Sequence, residues 1–119
     1  MSRFSQWTLD VHDVERMATF WSQALGYRIQ PGDDGDAHLL PPDDRPGQLT
    51  VWLQPTDAPK VGKNRDHMDL VAEDGDVEAE VERLIGLGAR RADVGQKGDE
   101  GFVVLADPED NEFCLLYRR

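Results

Sequence analysis

The sequence has one cysteine, no long apolar run and few basic residues, and each shortage excludes a class of protein. Because Cys114 is the only cysteine, an intrachain disulfide framework and any site built from several cysteines are excluded. The longest apolar runs, 102–106 and 113–117, span about five residues, whereas a transmembrane helix needs about 20. The 13 Lys and Arg residues are outnumbered by 24 Asp and Glu residues, and the net charge of −11 argues against nucleic-acid or anionic membrane partners.

Several common catalytic and targeting motifs are also missing. The sequence contains no G-x-x-x-x-G-K-[ST] phosphate loop, no G-x-G-x-x-G dinucleotide motif and no G-x-S-x-G nucleophile elbow. Its N-terminus lacks the apolar segment of a signal peptide, which favours a cytoplasmic protein. With 39% hydrophobic residues and three tryptophans, the chain is expected to fold as one globular domain over residues 1–119.

The first half of the chain predicts a strand, a helix and then a hairpin. Residues 7–13 alternate between apolar and polar, as a half-buried strand does. Asp13 can cap the helix that follows, and Gly26 can end it in a left-handed conformation. Extended segments then flank a turn rich in Pro and Asp at 41–47. This order predicts a βαβββ module over about residues 4–55.

The second half repeats the same order. A strand over 67–74 precedes a helix that ends at Gly88. The candidate N-caps of this helix are Asp74 and Asp76. Two apolar stretches, 101–106 and 112–118, then flank a turn rich in Asp, Asn and Pro. A second βαβββ module over about residues 66–118 follows, and the two modules together define an α+β fold.

Three segments on this duplicated pattern resemble the vicinal-oxygen-chelate superfamily, in its glyoxalase-like and bleomycin-resistance-like branch. They are Phe20–Tyr27, Lys63–Leu70 and Asp107–Leu115. The resemblance implies that the sheets of the two modules curl around a half-open pocket. It further implies that metal-using members place four ligands there, from the first and last strands of each module, and use the metal as a Lewis acid.

The resemblance implies five candidate ligand-binding residues in this chain: Gln6, Trp52, Gln54, His67 and Cys114. His67 would be a good metal ligand, but the amides are weak donors, and Cys114 stands where the superfamily has a glutamate. Divalent cations of this class prefer imidazole and carboxylate ligands. We therefore predict no cofactor and no intact metal site, with zinc held by His67 and Cys114 as the alternative.

Three of these candidates also have plainer interpretations. His67 could be a pocket hydrogen-bonding group or a general base, or a strand-end histidine whose partners are backbone carbonyls. Cys114 could contact a ligand or act as a nucleophile, but a free cysteine on a buried strand is usually a small apolar core residue. Trp52 could form an aromatic wall of the pocket or belong to the core.

Two charged clusters allow similar alternatives. Lys60, Lys63 and Arg65 could bind an anionic group, although pairing with neighbouring acids is the commoner role of such a cluster. The acidic residues of 107–112 are interpreted as a solvated turn, in which Asp110 can tolerate left-handed backbone angles.

The resemblance implies a homodimer, and the sequence favours a cytoplasmic protein that binds a small organic ligand without an intact metal site. The surplus of negative charge would suit a cationic ligand. The alternative is an enzyme of the superfamily, either a metal-dependent lyase, isomerase or dioxygenase, or a metal-free catalyst with His67 as the base. A third interpretation is a structural role, in which side chains fill the pocket.

Overall fold

Two units, divided between Ala58 and Pro59, each contain one helix and one four-stranded sheet in the computed structural model. The structure describes residues 1–117. The strand end predicted at residue 118 therefore lies outside the described residues. Neither helix in the described part of the chain combines the length and the apolarity of a membrane span.

The first unit has the predicted βαβββ order. Its elements are β1 Gln6–Val11, α1 Val14–Leu25, β2 Arg28–Pro31, β3 Ala37–Leu40 and β4 Thr50–Pro55. The strand order across the sheet is β1-β4-β3-β2, with β1 and β4 parallel and the remaining pairs antiparallel. Asp13 caps α1 by accepting a hydrogen bond from the backbone N–H of Arg16 at 3.1 Å, and Gly26 ends the helix at φ 70.

Helix α1 covers one face of this sheet because its large apolar residues lie on one side. Met17, Phe20 and Trp21 are at most 2% exposed, and the rings of Phe20 and Trp21 meet edge to face at 5.1 Å. On the sheet, Leu39 and Leu53 are fully buried. Because side chains alternate along a strand, the polar residues between these apolar positions lie on the opposite face.

The second unit repeats this topology. Its elements are β5 Asp69–Val71, α2 Val77–Leu87, β6 Arg90–Arg91, β7 Phe102–Ala106 and β8 Glu112–Leu116. The strand order is β5-β8-β7-β6, again with the first and last strands parallel. The predicted α+β fold, with two βαβββ modules, is confirmed.

The start of the second unit differs from the prediction in length. The strand predicted over 67–74 is shortened to Asp69–Val71, because a turn begins directly after it. In this turn Asp74 accepts a hydrogen bond from the backbone N–H of Asp76 at 2.9 Å. Asp76 then caps α2, so Asp74 forms the turn that precedes the helix.

Candidate functional site

The sheet of the second unit has one face that α2 covers and one that it leaves open. Phe113 and Leu115 are buried to 1% and 0% exposure on the helix side. Cys114, between them, therefore lies on the open face. The strand pairing places Asp69 of β5 on one side of Cys114 and Val104 of β7 on the other.

His67 precedes β5 but joins the same face. The backbone N–H of Cys114 donates to the carbonyl of Met68 at 2.9 Å, which holds this segment beside β8. His67 and Asp69 are two residues apart, and the period of an extended chain puts such residues on one side. The open face therefore brings together imidazole, carboxylate and thiol groups.

A pocket of about 250 Å³ lies on this open face. Its lining residues are Lys63, His67, Asp69, Val94, Phe102, Val104, Glu112, Cys114 and Leu116. Apolar walls with a few polar groups are the usual composition of a small-molecule site, and the volume suits a small organic molecule. The predicted residues His67 and Cys114 both line it.

The polar groups of His67, Asp69 and Cys114 form one cluster. Their potential ligand atoms all lie within 4.8 Å of one another. The Nε2 atom of His67 is 3.4 Å from Oδ1 of Asp69, and the thiol of Cys114 donates to the carboxylate of Asp69. The side chains of His67 and Asp69 are 34% and 51% exposed, so solutes can reach the cluster.

Cys114 is a protonated thiol rather than a prepared nucleophile. Burial raises the pKa of Cys114, and the negative charge of Asp69 raises it further. The ammonium of Lys63 opposes this shift only in part. The thiol–carboxylate hydrogen bond also favours the protonated form. This environment disfavours nucleophilic catalysis and leaves Cys114 as a buried residue that lines the pocket.

Glu112 shows that the interpretation of 107–112 as a solvated turn is wrong at this position. The residue is 8% exposed, and its carboxylate lies 2.8 Å from Nζ of Lys60 and accepts from the backbone N–H of Asn64 at 3.1 Å. Burial alone would raise the pKa of Glu112, but the contacts with Lys60 and Asn64 outweigh it and lower the pKa.

The same interpretation is wrong for Asp107, which is 1% exposed. Its carboxylate accepts hydrogen bonds from the backbone N–H groups of Glu109 and Asn111 at 2.9 and 3.0 Å. These bonds hold the β7–β8 turn closed, which explains why the group is buried. The expectation for Asp110 is confirmed, since its φ is 71.

The basic cluster divides between two roles. Lys60 pairs with Glu112, as the commoner interpretation expects. Lys63 donates to the carbonyl of Asn64 at 3.2 Å and lines the pocket. Arg65 is not among the residues that line it.

The other three candidates, Gln6, Trp52 and Gln54, lie on the sheet of the first unit. Gln6 and Gln54 are exposed at the β1–β4 pair. Trp52 Nε1 donates to Oδ2 of Asp36 at 2.8 Å, and the indole meets the ring of His38 edge on at 5.9 Å. Trp52 is thus held by polar neighbours.

Residues 6–116 match the family of glyoxalase-like domains. The chain belongs to this family. The match confirms the resemblance to the vicinal-oxygen-chelate superfamily. No curated protein sequence is significantly similar to this glyoxalase-like chain.

Solved structures share the fold of this glyoxalase-like protein. A hypothetical protein from S. aureus superposes with a TM-score of 0.73 at 20% identity, covering 99% of this chain and 95% of the other. The fosfomycin resistance protein FosX from Mesorhizobium loti gives 0.75 at 17% identity, with 100% and 94% covered. A glyoxalase/bleomycin resistance protein/dioxygenase family enzyme from Burkholderia phytofirmans gives 0.72 at 17%, with 93% and 94% covered. These identities establish a common fold alone.

Asp69 is a potential metal ligand beside His67 and Cys114. The sequence argument against a metal counted ligands only at the positions that the resemblance assigns, and Asp69 is not one of them. In the structure Asp69 supplies a carboxylate, and imidazole, carboxylate and thiolate together suit a zinc-class ion. The absence of an intact metal site stays a prediction, and Asp69 adds a carboxylate that its ligand count left out. The two-residue spacing of His67 and Asp69 at the start of the second unit's first strand was the signal in the sequence.

Proposed function

We propose that this glyoxalase-like protein binds a small amphipathic organic molecule in the pocket of its second unit. The observation that supports the proposal is a pocket of about 250 Å³ with apolar walls beside one polar cluster. Phe102, Val104 and Leu116 would contact the apolar part of the ligand. Burial of that part supplies most of the affinity, and the polar groups supply orientation.

The charges around the pocket favour a ligand whose polar end donates hydrogen bonds or is cationic. Glu112 is paired with Lys60, so its charge is largely compensated. Asp69 lies with its carboxylate half exposed beside His67. A donor or a cation on the ligand can pair with Asp69, and the net charge of −11 favours the approach of a cation.

A ligand titration followed by amide NMR tests this proposal. Cationic amphipathic aromatics, with neutral and anionic analogues of the same size, are added to the full chain. We expect saturable shifts of pocket residues, largest for the cationic series. Val104→Phe should fill the pocket and abolish them, whereas Val71→Phe, at an exposed position outside the lining, should not. Saturable binding that is unaffected by Val104→Phe, or no binding in any series, would contradict the proposal.

An enzyme of the same superfamily is the second candidate function. The contact of His67 Nε2 with Asp69 Oδ1 at 3.4 Å favours it, because a carboxylate can orient an imidazole that acts as a general base. For any substrate that is turned over, His67→Ala should abolish turnover. Retained turnover would remove His67 from the mechanism.

The assembly and the surroundings of the protein belong to the same proposal. A homodimer in the cytoplasm, without nucleic-acid or membrane partners, is part of this proposal, and the charge of −11 supports it because it repels polyanions and anionic membrane surfaces. Sedimentation equilibrium tests the dimer directly, since a single species of monomer mass at all concentrations would contradict it.

A further inference from the structure

We infer that the ligand of the second unit's pocket is a zwitterion, an amino acid with a large apolar side chain, whose ammonium contacts Asp69 and whose carboxylate contacts Lys63. Both side chains line the pocket, and they carry opposite charges. The inference rests on the proposed binding of a small amphipathic molecule, and it names the chemical class of that molecule.

Lys63 carries a positive charge that no carboxylate in the described part of the chain neutralises. A second, polar cavity of about 310 Å³ adjoins the pocket and shares Lys63 and Glu112 with it. Three Lys and Arg side chains line the two cavities. Lys60 pairs with Glu112 at 2.8 Å, and Arg90 pairs with Asp110 at 2.6 Å. The third, Lys63, is therefore the cation that is left for an anionic group of a ligand.

The segment that carries Lys63 is held against the β7–β8 turn. The carboxylate of Glu112 accepts from the backbone N–H of Asn64 at 3.1 Å, and Nδ2 of Asn64 donates to Oδ1 of Asn111 at 3.1 Å. Nζ of Lys63 donates to the carbonyl of Asn64 at 3.2 Å. A lysine ammonium has three N–H donors, so two are available to a ligand.

Asp69 provides the opposite charge within reach of the same molecule. Burial raises the pKa of the Cys114 thiol, the charge of Asp69 raises it further, and the charge of Lys63 lowers it. Because such effects act over about 4–6 Å, both charges lie close to Cys114. The carboxylate of Asp69 is half exposed, and an ionised carboxylate has about four acceptor sites, so it can accept from a ligand ammonium beside its contact with His67.

A molecule with a single charge fits these two side chains less well than a zwitterion does. An amine would pair with Asp69 but would place a like charge beside Lys63. A carboxylic acid would pair with Lys63 but would face Asp69. Like charges brought together in a binding site disfavour the wrong ligand, whereas a zwitterion complements both groups.

The apolar walls and the size of the pocket define the rest of the ligand. Phe102, Val104 and Leu116 would contact an apolar side chain. The volume of about 250 Å³ is below the roughly 300–1,000 Å³ of drug-sized sites. A single amino acid with an aromatic or large aliphatic side chain therefore matches the pocket in size as well as in charge.

Two matched sets of ligands, titrated into the full chain and followed by amide NMR, test the inference. Each set has an amino acid, the amine that lacks its carboxylate and the acid that lacks its ammonium. One set is L-phenylalanine, phenethylamine and hydrocinnamate, and the other is L-leucine, isoamylamine and isocaproate. We expect at least one of the amino acids to bind about tenfold more tightly than its amine or its acid, because it gains a second charge-assisted contact.

Variants assign the two contacts. Lys63→Met should reduce the affinity for the amino acid to that for the amine, without weakening the amine. Asp69→Asn should reduce it to that for the acid. Lys97→Met is the matched control, since it removes the same charge from an exposed lysine that lines neither cavity, and it should change none of the affinities. The amide spectra verify that each variant is folded.

Two results would overturn the inference but leave the proposed function intact, since the amines would still bind. They are amino acids that bind no more tightly than their amines, and an advantage of the amino acid that survives Lys63→Met. If no member of either set binds, the inference is wrong, and the titration with the wider series of amphipathic aromatics decides the proposed function separately.

Discussion

The two units share one topology but carry different chemistry at matching places. In the first unit, the parallel pair of first and last strands sets Thr8 opposite Trp52. In the second unit, the equivalent pair sets Asp69 opposite Cys114. A hydroxyl and an indole thus stand in one sheet where a carboxylate and a thiol stand in the other.

The residues two positions before Thr8 and before Asp69 also differ between the two units. They are Gln6 in the first unit and His67 in the second, so an amide stands in one unit where an imidazole stands in the other. The helix-facing residues of both sheets are apolar and buried, because their packing against the helix stabilises each unit. The open face is free to differ. The duplicated fold therefore provides equivalent positions in both units. The second unit has imidazole, carboxylate and thiol groups at these positions, whereas the first has amide, hydroxyl and indole groups.

The largest difference in stability between the two units is expected for substitutions at the first residue of each last strand. These residues are Glu112 in β8 and Thr50 in β4. Glu112→Gln should lower the free energy of unfolding by about 2 kcal/mol at pH 7, because Lys60 loses a charged partner in a mostly buried setting. Thr50→Val, at the matching place, should change it by less than about 0.5 kcal/mol. Urea denaturation of both variants measures the difference.

The effect of Glu112→Gln should also depend on pH. The folded state lowers the pKa of Glu112 below its ordinary value of 4.5, so the unfolded chain binds the proton more readily. The stabilisation is present above that ordinary value and is lost as the pH falls through the lower, folded-state pKa. The gap between the wild type and Glu112→Gln should therefore close in acid. A gap of constant size from neutral pH into acid would contradict this assignment.

Local signals predicted most of the fold. Alternation over residues 7–13, the cap at Asp13 and the stop at Gly26 all depend on neighbours in sequence, and the structure confirms each of them. Asp110 adopts positive φ for an equally local reason, because its short polar side chain tolerates left-handed angles.

The misses involve partners distant in sequence. Glu112 is buried because it pairs with Lys60, 52 residues earlier. Asp69 joins Cys114 only through the register of two strands that are far apart along the chain. Composition and periodicity identify residues that prefer burial or exposure, but they do not set such a register, and the sequence therefore predicted His67 and Cys114 without the carboxylate between them.

Substitution of Trp52 or Trp7, which lie in the β1–β4 pair of the first unit, should have a smaller effect on stability. The effect should differ between the two tryptophans. Trp52→Phe removes the hydrogen bond from Nε1 to Asp36 and should lower the free energy of unfolding only slightly, because solvent reaches Asp36. That bond is the main reason why the pKa of Asp36 is low. In Trp52→Phe, the pKa of Asp36 should therefore rise toward its ordinary value, which a carbon-13 NMR titration of the side-chain carboxyl measures.

Trp7→Phe is the matched control for that experiment. Within residues 1–117, the buried Nε1 of Trp7 has no hydrogen-bond partner, so its loss removes none. The titration of Asp36 should be the same in Trp7→Phe as in the wild type. An unchanged titration of Asp36 in Trp52→Phe would show that the hydrogen bond from the indole does not lower the pKa of Asp36.

The smallest effect concerns the turns that precede the last strands, where Asp110 has φ 71 and Gly47 has φ 85. Asp110→Gly should raise the free energy of unfolding by about 0.5 kcal/mol, because glycine adopts this conformation without strain. Thermal unfolding should shift upward by about 2 °C. The variant also loses the contact between Arg90 and Asp110 at 2.6 Å, but both side chains are more than half exposed, and such pairs contribute little. Gly47→Asp should be destabilising by a similar amount. An equal decrease in the melting temperature of Asp110→Gly and Arg90→Gln would contradict this prediction. It would show that the ion pair between Arg90 and Asp110 contributes more than the backbone strain at Asp110.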